Sequence, residues 1–118
     1  MENVRLTGTT NGSGALTVNG VGTVNGLLYA VDVNLSACDA TADLTLSTQG
    51  ADGSLTLLTL TDSQLNSTLY PRGSTCSATG SVGTDQTVYL PLIGIPRAVV
   101  AQGGDSKAIQ VTLYFIEA

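Results

Sequence analysis

Apolar and polar side chains alternate through most of this chain, most clearly near its end. Ile109, Val111, Leu113 and Phe115 occupy every second position, with Ala108, Gln110, Thr112 and Tyr114 between them. Successive side chains of a strand point to opposite faces, so the pattern predicts a strand with one buried face. Ala98-Val99-Val100-Ala101 precedes it, with Gly103-Gly104-Asp105-Ser106 between. Glycine reaches positive φ without a Cβ clash, and Asp and Ser bond to a turning backbone. The stretch from Ile95 to Glu117 therefore reads as a β-hairpin that closes a sheet.

Residues 27–37 repeat the pattern, with Leu27, Tyr29, Val31, Val33, Leu35 and Ala37 on one face and Ala30, Asp32, Asn34 and Ser36 on the other. A one-residue slip would bury Asp32 and Asn34, which fixes the register. Tyr29, Val31, Val33 and Leu35 thus join Ile109, Val111, Leu113 and Phe115 as the expected core. Cys38-Asp39-Ala40 turns the chain. Residues 41–48 then alternate, with Ala42, Leu44 and Leu46 inward and Thr41, Asp43, Thr45 and Ser47 outward. A turn at Gln49–Gly53 leads to residues 54–61, where Leu55 and Leu57 share one face and Leu58 and Leu60 the other. That shift of phase predicts either a bulge near Leu57-Leu58 or a strand covered on both faces.

Leu16 and Val18 place a strand at 14–19. Asn19-Gly20, a strong short hairpin signal, ends it, and 21–24 is a strand or a loop. Before it, residues 1–12 read as a flexible N-terminal arm or edge strand around Val4 and Leu6, suited to adding a strand to a neighbour's edge. Pro71 lacks an N–H, which puts Leu69–Arg72 at an edge or in an extended link. Gly73–Asp85 is a Gly/Ser/Thr-rich loop, and 86–93 buries Val88, Leu90 or Leu92 in part, with Pro91 interrupting the ladder. No helical period occurs. The expected fold is all-β: a single antiparallel β-sandwich, jelly-roll-like or immunoglobulin-like, of about eight strands over residues 13–118.

At 118 residues the chain is one domain. Seventeen threonines, with Val and Leu in place of Lys and Glu, favour strands. The net charge of −5, with Arg5, Arg72, Arg97 and Lys107 scattered, argues against nucleic acid, which needs clustered cations. Only 11% of residues are charged, and the mean hydropathy is +0.27. Such a surface suits a Ser/Thr-covered sandwich or one that partners cover. No apolar run approaches the ~18 residues of a membrane span. The opening Met-Glu-Asn-Val-Arg has neither the basic nor the apolar region of a signal peptide, so neither feature is expected.

Catalytic devices are scarce. With no histidine, a Ser–His or Cys–His pair is excluded. Cys38 and Cys76 cannot complete a four-ligand zinc site; they are free thiols or, in oxidising surroundings, a disulfide. Asp32 and Asp43 stand on outward strand positions, where solvated carboxylates belong. Asp52-Gly53 and Asp105 are turn residues, and no calcium loop is present. Gly20-Val21-Gly22 lacks the rest of a dinucleotide fingerprint. Tyr29, Tyr70, Tyr89, Tyr114 and Phe115 are too few, and lack basic companions, to form a single-strand platform. No enzyme activity, metal or cofactor is expected.

Asn25-Gly26-Leu27-Leu28-Tyr29-Ala30, Ala42-Asp43-Leu44-Thr45-Leu46, Thr56-Leu57-Leu58-Thr59-Leu60-Thr61, Tyr70-Pro71-Arg72, and Pro96-Arg97-Ala98-Val99-Val100-Ala101-Gln102-Gly103-Gly104 with Lys107 occur in that order. Together they resemble small all-β structural proteins of tailed bacteriophages, encoded among the head and neck genes. The likeness covers about residues 14–116; those relatives carry a longer insert after Tyr-Pro-Arg. It implies a non-enzymatic virion protein, above all a capsid decoration or cement protein that binds and stabilises the head. A head–tail neck component and a surface-displayed adhesin or glycan-binding domain are the alternatives. The partners so implied are the major capsid protein or other virion proteins, with a homo-oligomer among the expected states and neither nucleic acid nor membrane. The expected contacts are Val4 and Leu6, by strand addition, and the edge at Tyr70, Pro71 and Arg72.

Overall fold

A computed structural model describes residues 1–50, 53–73 and 88–117. The described residues form nine strands and no helix: β1 (Glu2–Thr9), β2 (Leu16–Asn19), β3 (Val24–Asn34), β4 (Asp43–Gly50), β5 (Gly53–Leu60), β6 (Asn66–Leu69), β7 (Arg72–Gly73), β8 (Val88–Ala101) and β9 (Ala108–Glu117). Every pairing is antiparallel. The main path runs β1-β9-β3-β8-β4-β5, with β2 and β7 on β8 and β6 on β3. The sheet curls into a half-barrel whose two leaves pack as a sandwich, as the alternation predicts.

β8 makes the curl. Its first half, Leu90–Gly94, pairs with β3, and its second half, Ile95–Ala101, pairs with β4. The exchange happens at Gly94, which is buried and has φ 117°. The two prolines of β8, Pro91 and Pro96, stay within the strand, paired opposite Leu27 and Thr48.

Between the leaves lie Leu6, Leu28, Val31, Val33, Leu35, Leu44, Leu46, Leu92, Val100, Val111 and Leu113, all essentially sealed from solvent. Each such side chain is worth roughly 1.5–3 kcal/mol before chain entropy is subtracted. Ile109 and Phe115 complete the expected core face of β9.

Two sequence expectations change and two are narrowed. The closing hairpin is not one: β8 and β9 share no ladder, and residues 102–107 arch from one leaf to the other. Positive φ at Gln102, Gly104 and Ser106 makes the arch. Thr10 clasps it, its hydroxyl donating to Gly104 O at 2.5 Å and accepting the Lys107 N–H at 2.8 Å. Second, Asn19-Gly20 joins no hairpin, because β2 and β3 both pair with β8 rather than with each other. Third, of the two readings of residues 1–12 the edge strand holds and the flexible arm does not: β1 pairs with β9 over eight residues, Glu2 to Thr9. Fourth, of Val88, Leu90 and Leu92, Leu92 is buried in the core, Leu90 packs half-buried against it and Val88 is exposed.

The bulge expected near Leu57-Leu58 is present. Leu46 faces Leu58 and Ser47 faces Thr56, which leaves Leu57 as the extra residue, buried. Ser47 is buried too, against expectation, as is Thr48 beside it.

Candidate contact site

A second bulge builds the one aromatic cluster among the described residues. Opposite β9, Leu28 pairs with Phe115 and Ala30 with Tyr114, so Tyr29 has no partner there. The extra residue inverts the face of β3 around it. Leu28 and Ala30 enter the core, Leu27 is exposed, and Tyr29 is half-buried instead of being a core residue. Ala37, grouped with that face in the sequence, is exposed.

β7 then sets Arg72 directly across from Tyr89 of β8. The Arg72 Nη1 donates to Tyr29 O and to Pro71 O, both at 2.8 Å. Those bonds hold the guanidinium 4.5 Å from the centre of the Tyr89 ring and 5.6 Å from that of Tyr29. Tyr70 stands edge-on to Tyr29 at 5.9 Å and 88°, and Tyr89 lies 6.3 Å from Tyr29 at 33°. Ring pairs of this kind contribute about 0.5–1.5 kcal/mol, and a cation over a ring about 0.5–1 kcal/mol where exposed and about 2 kcal/mol where desolvated. Tyr70 keeps 59% of its surface exposed. The result is a preformed aromatic tile with a fixed cation and an open ring.

The structure thus brings Tyr70, Pro71 and Arg72 together with Tyr29 and Tyr89, which lie far from them in sequence. The N-terminal pair fares differently. Val4 and Leu6 lie opposite Leu113 and Val111 of β9, on the core-facing side. Leu6 is 1% exposed and Val4 half-buried against the core, so neither side chain is offered to a partner. What β1 leaves open is its backbone edge, since β9 is its one ladder partner among the described residues.

The remaining candidates have structural roles. Asp43 Oδ1 accepts the Asp62 N–H at 3.0 Å and ties the turn after β5. Cys38 is buried in the turn after β3, with no disulfide partner among the described residues, its carbonyl accepting from Gln64 Nε2 at 2.7 Å. Burial first, and the neighbouring Asp39 carboxylate second, push its pKa up, with Lys107 opposing, so the thiolate needed for nucleophilic attack is disfavoured. Cys76 lies outside the described residues, as does the Ser/Thr/Gly-rich loop beyond Gly73. Among the described residues no cluster of three metal-ligating side chains occurs, and no helix is long and apolar enough to cross a membrane.

No family model matches the chain, and no curated protein matches it. A solved structure titled as the crystal structure of FLHE is similar over 97% of this chain and 96% of its own, at 14% identity and TM-score 0.40. That superposition is too loose to transfer a role.

Proposed function

We propose that this chain is a non-enzymatic structural protein of a bacteriophage particle, a decoration protein that binds the outside of the head and stabilises it. The observation that carries the reading is the Tyr29–Tyr70–Arg72–Tyr89 cluster. Two of the segments that resemble phage head and neck proteins, Asn25–Ala30 and Tyr70–Arg72, meet in it. Aromatic rings and arginine dominate protein contact energies because they bury large area at small entropic cost. Arg72 is already positioned by two backbone carbonyls, so little ordering remains to be done on binding. The partner is the major capsid protein or another virion protein, and the place of action is the virion.

Counting copies in purified particles by quantitative mass spectrometry tests the reading. A decoration protein is present in proportion to the capsid protein. Copies sufficient for a single ring would move the protein to the neck. Absence from particles, with glycan binding by the isolated domain, would replace the reading with the adhesin.

A further inference from the structure

Asn-Gly occurs three times, at Asn11-Gly12, Asn19-Gly20 and Asn25-Gly26. Such a pair can close on itself: the glycine nitrogen attacks the asparagine Cγ, and without a Cβ the backbone turns freely into the ring. The three pairs share this chemistry, and the fold separates them. The Gly20 N–H donates to Pro96 O at 2.8 Å, and Asn19 Oδ1 accepts from Arg97 Nε at 2.7 Å, which turns the side chain toward β8. Gly26 is buried between β8 and β9, opposite Leu92 and Glu117, where an added Cβ would collide with Ile116 O. At either pair the attack would first have to break backbone bonds that hold the sheet.

Asn11-Gly12 is built the other way. Both residues are exposed, in the turn between β1 and β2. Among the described residues nothing accepts from the Gly12 N–H. The Asn11 Oδ1 accepts from Ser13 N at 3.0 Å, Ser13 Oγ at 2.8 Å and Ala15 N at 3.0 Å. The first of these closes an Asx turn, which folds the carboxamide back over Gly12. All three draw electrons from Cγ and hold the oxygen as it gains negative charge under attack, as the donors of an oxyanion hole do. Asn34 is the contrast. Its Oδ1 accepts from Ser36 N and Ser36 Oγ in the same kind of turn, but the next residue is buried Leu35, whose N–H donates to Leu65 O at 2.7 Å. The undescribed residues attach elsewhere: 51–52 between Gly50 and Gly53, and 74–87 at Gly73 and Val88, about 40 Å of strand from Val100, which faces Leu16. A stretch that long, returning to its start, reaches about 25 Å at most.

We propose that Asn11-Gly12 is a self-modification site, at which the folded chain converts asparagine to aspartate and isoaspartate while Asn19 and Asn25 stay intact. Hydroxide takes the Gly12 amide proton, and Gly12 N bonds to Cγ. The Cγ–Nδ2 bond breaks, and its nitrogen takes up a proton and leaves as ammonia, giving a five-membered succinimide. Water then opens the ring. Attack at Cγ restores the backbone and gives aspartate; attack at the backbone carbonyl carbon gives isoaspartate. Either product adds one negative charge to the −5 of the chain. Isoaspartate also reroutes the backbone through Cβ and Cγ, three residues before Gly14, whose carbonyl accepts the Gly103 N–H at 3.0 Å, and so loosens the tie between this turn and the arch. The chemistry stands on the turn itself and does not depend on the role in the particle.

Ageing the folded chain in mildly alkaline buffer made with heavy-oxygen water, followed by fragmentation mass spectrometry, tests the proposal. The label is expected in a new carboxylate at position 11, in aspartyl and isoaspartyl forms, at a rate at least about tenfold above that at Asn19 or Asn25. In chain unfolded by urea that gap should close, because no backbone bond then protects the other two pairs. Gly12→Ala should slow the conversion about tenfold or more, since its Cβ hinders ring closure. The variant leaves the turn undisturbed: an added Cβ at Gly12 meets nothing within 4 Å, and Gly12 has no positive φ. An Asn11 that stays intact in the aged protein overturns the proposal. So do equal rates at the three pairs in the folded chain, a gap that persists in urea, or a Gly12→Ala variant that converts like wild type.

Discussion

Replacing Phe115 by alanine should remove about 3–5 kcal/mol of folding stability. Phe115 is 6% exposed on β9, between Glu2 of β1 and Leu28 of β3. The floor beneath its ring is Gly26, where an added Cβ would come within 3.1 Å of Cδ2. The same Cβ would come still closer to the carbonyl oxygen of Ile116, so nothing larger can move in to fill a cavity left by the ring. Urea denaturation measures the loss, and Ile116→Ala supplies the internal contrast. That neighbour points to the opposite face at 42% exposure and should cost less than about 1 kcal/mol. Equal losses at the two positions would mean that the face of β9 has been assigned wrongly.

Gly94→Val should cost about 3 kcal/mol or more, through two separate terms. At φ 117° a side chain is strained by roughly 1–3 kcal/mol wherever it sits. Here its Cβ would also lie 2.5 Å from Gln49 O, a backbone atom of the neighbouring strand, and overpacking adds about 1–3 kcal/mol. Gly22 separates the terms, because it has φ 103° with nothing within 4 Å of its Cβ position. Gly22→Ala should therefore show the strain alone. Thermal unfolding of both variants checks this. A Gly94 variant no worse than the Gly22 variant would mean that β8 does not pass between the leaves at that point.

Fold class and most of the core were legible because period-2 alternation survives wherever one face is polar. In β9 and in the second half of β3, Gln110, Asp32 and Asn34 mark the outward side, although Thr112, which shares that side of β9, is buried. Where both neighbours are apolar the mark disappears. Gly26-Leu27-Leu28-Tyr29-Ala30-Val31 contains no charged or amide residue, so the bulge at Tyr29 leaves no phase signal and simple alternation places Tyr29 in the core. The bulge at Leu57 was legible because Thr56 and Thr59 flank the leucines. Pairing was the least legible level. Gly103–Ser106 predicts a turn correctly, but a turn of that composition serves a hairpin and an arch between sheets alike. The choice depends on Thr10, over ninety positions away, reaching the arch. The contact cluster was half legible for the same reason. Tyr70-Pro71-Arg72 is contiguous, whereas Tyr29 and Tyr89 join it only through β3 and the β7–β8 pairing.

The most direct test of the decoration role is to mix the purified protein with undecorated phage heads across a salt series and count bound copies. Saturable binding over the shell is expected. Its affinity should change little with salt, because the proposed contact uses rings and one fixed cation, not the clustered cations whose phosphate binding weakens steeply as salt rises. Tyr70→Ala should lower the affinity about tenfold or more, a loss above 1 kcal/mol typical of an anchoring ring. Heads should resist heat better as occupancy rises, since a ligand that binds only the intact shell stabilises it. Heads that bind no protein, or bind it without gaining heat resistance while isolated necks or host surfaces retain it, would contradict the account.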